Sequence, residues 1–157
     1  MIPPVRPFRK ADAEGIHAVF RAAVREGSAG RYSEAQRMAW ASADSMPESW
    51  PGWLDGMDTL VAEDAEGIAG FMAATAEGYL DMAFVHPRWM GRGLAQALYD
   101  PLLAKARARG ICRMTAHASH LARPFLARNG WRVDYPETVT RNGVALDRFA
   151  MSLDPVS

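Results

Sequence analysis

The chain has 157 residues, of which 49% are hydrophobic, with 18 basic and 18 acidic side chains. That suits one folded domain with its own core better than two small ones. No stretch approaches the ~20 apolar residues that cross a bilayer, and the opening MIPPVRPFRKADAEG carries no signal-peptide core. A lone cysteine, Cys112, excludes disulfides within the chain and a multi-cysteine zinc site, so a soluble cytoplasmic protein with no membrane partner and no resident metal is expected.

In chain order, ADAEGIHAVFRAAVREG offers Asp12 as N-cap and places Ile16, Val19, Phe20, Ala23 and Val24 at helical spacing, which predicts a first amphipathic helix ending at Gly27. Ser33 followed by Gln36 has the form of a capping box and predicts a second helix through Trp40. Residues 45–58, SMPESWPGWLDGMD, hold two prolines, two glycines and two tryptophans, the mixture of an ordered loop rather than a linker. TLVAED and IAGFMAATA, joined around Glu66-Gly67, read as a hairpin, and Gly78 marks the next turn. YLDMAFV is apolar at nearly every position, so it belongs at the centre of a sheet with cover on each side; Asp81 is its one charged residue.

LAQALYDPLLAKARARG reads as a helix with Leu94, Ala97, Leu98, Leu102 and Ala106 on one side, and Pro101 is expected to kink it. ICRMTAHA is a further strand, with Cys112 early in it, and SHLARPFLARNG is a short helix from Ser119 to Gly130. WRVDYPETV and ALDRFAMSL form a last hairpin through RNGV. The order is strand, helix, helix, three strands, helix, strand, helix, two strands. It implies an α/β or α+β fold with a mixed, mostly antiparallel sheet and one strand-helix-strand crossover at residues 79–118.

The zero net charge hides a pattern. Residues 1–84 carry seven basic and thirteen acidic side chains, whereas residues 85–132 carry nine basic ones against Asp100 alone. The middle third is therefore either an anion site or a helix with a basic solvated face. Nucleic acid is not expected, because no basic run is interleaved with aromatics. The segment VHPRWMGRGLAQAL sharpens the choice. A glycine turn that opens a helix exposes unpaired backbone N–H groups at the positive end of the helix dipole, which suits phosphate. Gly91 and Gly93 permit close approach, and Arg88 and Arg92 add charge. The spacing matches neither the dinucleotide fingerprint nor the nucleotide-triphosphate loop, and a tight packing turn explains the glycines equally well by itself.

FVHPRWMGRGLAQAL, with its R-x-x-G-x-G core at Arg88, Gly91 and Gly93, resembles motif A of the GNAT family of acetyl-CoA-dependent N-acetyltransferases. ASHLARPFLARNGWRV resembles that family's second conserved block through Ser119, Ala122, Phe125, Gly130 and Trp131. The resemblance implies a splayed central strand pair with helices on both faces. It implies coenzyme A held by Arg88, Trp89, Met90, Gly91, Arg92, Gly93, Leu94 and Ala95, together with Ser119 and Phe125. Arg123 and Arg128 would lie beside the nucleotide end. An N–H near Phe84 or Val85 would polarise the thioester carbonyl. Asp81 is the first candidate for the base that deprotonates the amine, against the alternative of a buried Asp satisfied by its neighbours, and His117 is the second. Many relatives carry a tyrosine where this chain has Leu126, which leaves the proton donor to the thiolate open. Tyr32 and Trp40, with Trp50 and Trp53, are candidates to line the acceptor pocket, or else are core. The acceptor expected is a primary amine of a small molecule, peptide or protein, and a homodimer through the terminal hairpin is compatible with the pattern. The rivals are a noncatalytic acyl-CoA-binding or sensing module on the same fold and a protein-interaction domain whose glycine turn only packs.

Overall fold

The computed structural model describes residues 1–156 as one seven-stranded sheet with helices on both faces. The strands are β1 (Val5–Pro7), β2 (Asp58–Asp64), β3 (Gly67–Ala74), β4 (Tyr79–Val85), β5 (Met114–Ala118), β6 (Arg132–Arg141) and β7 (Val144–Leu153). The α-helices are α1 (Ala13–Ala22), α2 (Glu34–Trp40), α3 (Trp50–Asp55), α4 (Leu94–Ala108) and α5 (Arg123–Arg128). Across the sheet the order is β1-β2-β3-β4-β5-β7-β6. Every neighbouring pair is antiparallel except β4 and β5, which the α4 crossover makes parallel. β4 thus takes the central place that its apolar run calls for. Among the described residues no helix is long and apolar enough to cross a membrane.

Two cores cover the sheet. On one face Leu94, Leu98, Leu102 and Ala106 of α4 meet Leu60, Met72 and Leu80 of the sheet, with Leu126 of α5. On the other, Ile16 and Val19 of α1 and Leu54 of α3 meet Val61, Ile68, Phe71 and Met82. Each fully buried leucine or isoleucine contributes about 1.5–3 kcal/mol by leaving water. Ser33 caps α2 as its spacing predicts: its Oγ accepts the Gln36 N–H at 3.1 Å and the Gln36 side chain accepts the Ser33 N–H at 2.9 Å. The Asn142-Gly143 turn has φ of 48° and 78°, which these residue types accept at the tip of the β6–β7 hairpin.

Three expectations change. The segment at residues 45–58 contains a helix, α3, because Pro51 is tolerated in a first helical turn and Leu54 is fully buried. Helix α4 continues through Pro101 without interruption, since burial of Leu98, Tyr99 and Leu102 offsets the one missing hydrogen bond. Cys112 is exposed and precedes β5 rather than lying in it.

Candidate active site

β4 and β5 pair only at Tyr79 with Thr115 and Leu80 with Ala116, and then separate, while β4 stays paired with β3 as far as Val85. The change falls on Asp81. Ala73 pairs with Met82 and Ala74 with Leu80, so Asp81 is an extra residue, a bulge. Bulges re-aim side chains and end pairing. In a regular strand Leu80 and Met82 would share a face, yet Leu80 belongs to the α4 core and Met82 to the α1 core. The bulge also turns the backbone. The His86 N–H donates to Ala69 O at 2.8 Å, so alternation along the ladder directs the Phe84 N–H to β3 and those of Ala83 and Val85 to the open slot. Of the two residues expected to offer a polarising N–H, Val85 has its backbone so placed and Phe84 does not.

The slot leads to the start of α4. Gly91 and Gly93 adopt φ of 73° and 86°, a region costly for other residues, and a Cβ at Gly91 would project into open space. No side chain caps α4. Among the described residues, the amides from Gly91 to Gln96 donate to no group of the chain, whereas those of Arg88, Trp89 and Met90 are taken by His86 Nδ1, His86 O and Pro87 O. The free donors therefore begin at Gly91, three residues later than expected. The Arg88 side chain needs a correction too. Its guanidinium holds Asp64 through two 3.0 Å bonds and donates to Ile68 O, because the β2–β3 turn presents a carboxylate at that spot. Asp64 also accepts the Trp89 indole N–H at 2.6 Å, and Arg88, ahead of Trp89, holds its carboxyl well below the usual range. Arg92 lies 4.0 Å over the Trp89 ring. These side chains brace the loop while its backbone stays open. Gly27, at the end of the wider π-type turn that closes α1, packs on the same loop: a Cβ there would come within 2.2 Å of Met90.

The residues of the second conserved block divide. Ser119 lines the cavity and its Oγ accepts the Leu121 and Ala122 amides at 3.2 and 3.1 Å. Phe125 stacks edge-on against Tyr99, 5.5 Å between centroids, where it joins α5 to α4 rather than lining the cavity. Gln96 and Asn129 exchange hydrogen bonds across the same joint. Leu126 is buried. Arg123 lies 4.9 Å from the Phe149 ring, and its buried Nε has no partner.

On the α1 side the slot widens into a cavity of about 360 Å³. Phe20, Trp40, Trp50 and Phe84 stack along it at 5.1–6.5 Å. Asp81 stands in its wall. Burial pushes its carboxyl above the ordinary range, which hydrogen bonding from the Trp53 side chain only partly offsets. Tyr32 lines the cavity, but its hydroxyl is committed: it donates to Asp147 O and accepts the His120 N–H, each at 2.9 Å. His117 also faces the cavity, its Nδ1 2.8 Å from the Tyr79 hydroxyl and its Nε2 3.7 Å from Glu137. Tyr79 escapes a reading of motifs. The available signal is parity, since the crossover makes the two strands neighbours and pairs Tyr79 with Thr115, two residues before His117.

A family model described as an acetyltransferase (GNAT) domain matches residues 28–153. The chain is 30% identical to an uncharacterized N-acetyltransferase, YafP, of Escherichia coli K12, over 96% of this chain and 95% of that one. Among solved structures, a GCN5-related N-acetyltransferase from Rhodopseudomonas palustris superposes with a TM-score of 0.90 at 34% identity, covering 98% of this chain and 96% of the other. YncA of Salmonella typhimurium, described as a putative acetyltransferase with its cofactor acetyl-CoA, shares the fold with a TM-score of 0.66 at 22% identity over 98% and 94%. The chain belongs to the GNAT family of N-acetyltransferases.

Proposed function

We propose that this protein moves the acetyl group of acetyl-CoA directly onto a primary amine of a small molecule, peptide or protein. The observation that carries the reading is a β4–β5 slot that runs from the uncapped start of α4 to the bulge at Asp81. Residues and cofactor fit: amides from Gly91 to Ala95 suit a pyrophosphate, and the free edge of β4 at Ala83 and Val85 suits the amide-bearing pantetheine arm. Bound there, acetyl-CoA supplies a thioester carbonyl ready for acyl transfer. The Val85 N–H is the donor that would polarise it.

Asp81 accepts the proton of the incoming amine. A carboxyl with a raised pKa is a better base near neutrality than an ordinary one, and this carboxyl shares a wall with the aromatic side chains. Those aromatics, Trp40 and Tyr32 among them, give the acceptor an apolar seat. The acidic bias of residues 1–84 favours a cationic amine. With Leu126 at the usual tyrosine position no α5 hydroxyl stands by the sulfur, but a thiol of pKa about 8.5 remains a tolerable leaving group.

The test is thiol release from acetyl-CoA with a panel of primary amines, with mass spectrometry of the products. Turnover with acetylated amine supports the reading. Coenzyme binding without turnover on any amine supports the sensing module, for which Leu126 speaks.

A further inference from the structure

We infer that the acceptor is a small zwitterion, an amine that also carries a carboxylate and an apolar body, and that Arg141 selects it by holding the carboxylate; the assignment rests on the acetyl-transfer reading above. The cavity has two unlike walls. Phe20, Trp40, Trp50 and Phe84 form the apolar one, which Asp81 shares. The β6–β7 hairpin forms the other. Its register pairs Glu137 with Arg148, Val139 with Leu146 and Arg141 with Val144, and strand alternation puts these side chains on one face of the hairpin. Val139, Arg141, Leu146 and Arg148 of that face line the cavity.

The two arginines differ. Arg148 donates from Nε to Glu137, so its charge is answered within the hairpin. The Arg141 guanidinium has no hydrogen-bond or ion-pair partner among the described residues. A lone exposed arginine is ordinary on an open surface, but this one is held at the cavity. The next residue, Asn142, donates from Nδ2 to Ala39 O at 2.9 Å and to Ser42 Oγ at 3.3 Å, which docks the hairpin tip on the end of α2 beside Trp40. Charge then limits the acceptor. Of the thirteen acids in residues 1–84, Asp81 alone lines the cavity, so the acidic bias seats one ammonium there. Asp147 lines it too, but its carboxylate accepts the Thr138 hydroxyl and lies 3.9 Å from His120. A second ammonium would meet Arg141 and be repelled, whereas a carboxylate accepts the guanidinium fork. The volume of about 360 Å³ is at the lower end for sites that enclose a whole small molecule, which favours a free zwitterion over a protein segment.

The experiment offers the full chain phenylalanine, tyrosine, leucine and methionine, each against its own amide and its decarboxylated amine, with acetyl-CoA saturating. The amide's amine is the more easily deprotonated of the three, so intrinsic reactivity runs against the expected order. The best free acid should exceed its amide and its amine in kcat/KM by about ten- to a hundredfold. Arg141→Gln, with its melting temperature checked, should raise KM for the free acid by that factor and erase the preference, and Arg141→Lys should restore part of it. Equal or better use of the amide by the wild type overturns the proposal, and so does a preference that survives Arg141→Gln. A wild-type protein inactive on every amine instead sinks the acetyl-transfer reading. Calorimetry of the same acids and amides on protein saturated with coenzyme A then decides about the anion seat: tighter binding of the acid that Arg141→Gln abolishes keeps it, and equal or absent binding overturns it.

Discussion

The two ends of the slot are built from different materials. At the α4 end the groups open to the slot are backbone amides and two glycines at positive φ, while Arg88, Trp89 and Arg92 turn to one another and to Asp64. At the Asp81 end the groups that line the cavity are side chains: a carboxyl raised by burial, a phenol bonded to an imidazole, and a wall of aromatic rings. In the proposed function, backbone would recognise what every reaction of this class shares, the phosphate and amide groups of the cofactor, and side chains would recognise what differs, the acceptor.

Substitutions at the two ends should therefore separate in their readouts. The largest effect is expected at Asp81. Asp81→Asn should cost about 10²- to 10⁴-fold in kcat with coenzyme A affinity unchanged by calorimetry. The wild-type rate should fall as pH drops through the raised pKa of this carboxyl, because only the ionised form is a base. Stability carries the opposite sign: a carboxyl raised by burial favours its neutral form in the folded state, so its stabilising contribution is lost as pH rises, and Asp81→Asn should melt higher than wild type at neutral pH. A lower melting temperature for that variant would mean the carboxylate is structural.

At the other end, Gly91→Ala forces a Cβ onto a left-handed residue at about 1–2 kcal/mol. It also places a methyl where open space faces the free amides. Coenzyme affinity should drop by roughly tenfold or more, while kcat at saturation is kept. Trp40→Ala should raise KM for the acceptor by a similar factor and leave coenzyme affinity alone. A change in coenzyme affinity instead would blur the division between the two ends.

The smallest effect is expected at Arg88. Its pair with Asp64 is partly open to water, so Arg88→Ala should cost about 1 kcal/mol of stability and little coenzyme affinity. Since Asp64 is held below its unfolded-state pKa, the lost stability should be seen above the usual carboxylate range and should vanish as pH falls through the depressed value.

The backbone end was the more legible in the sequence, for a physical reason. Glycines at a strand-to-helix junction demand particular φ values, and that demand is local. The same holds for the Ser33 cap and the Asn142-Gly143 turn. What the sequence withheld depends on partners remote in the chain. Arg88 looks like an anion ligand until β2 brings Asp64 beside it, 24 positions earlier. Phe84 and Val85 look equivalent until the bulge at Asp81 decides which N–H faces the slot. Phe125 follows the family pattern, yet its ring is spent on Tyr99. Helix α3 was hidden because its six residues include proline and glycine, and burial of Leu54 rather than propensity holds it. Tyr79 carried no motif, and only its distance to His117 singles it out.

The division of labour along the slot can be read amide by amide. In ¹⁵N-labelled protein titrated with coenzyme A, the resonances of Gly91 to Gln96, Ala83 and Val85 should shift strongly, and those of Arg88 to Met90 and Phe84 should shift much less. Saturation of the protein with the Gly91–Gln96 amides unmoved would contradict the account.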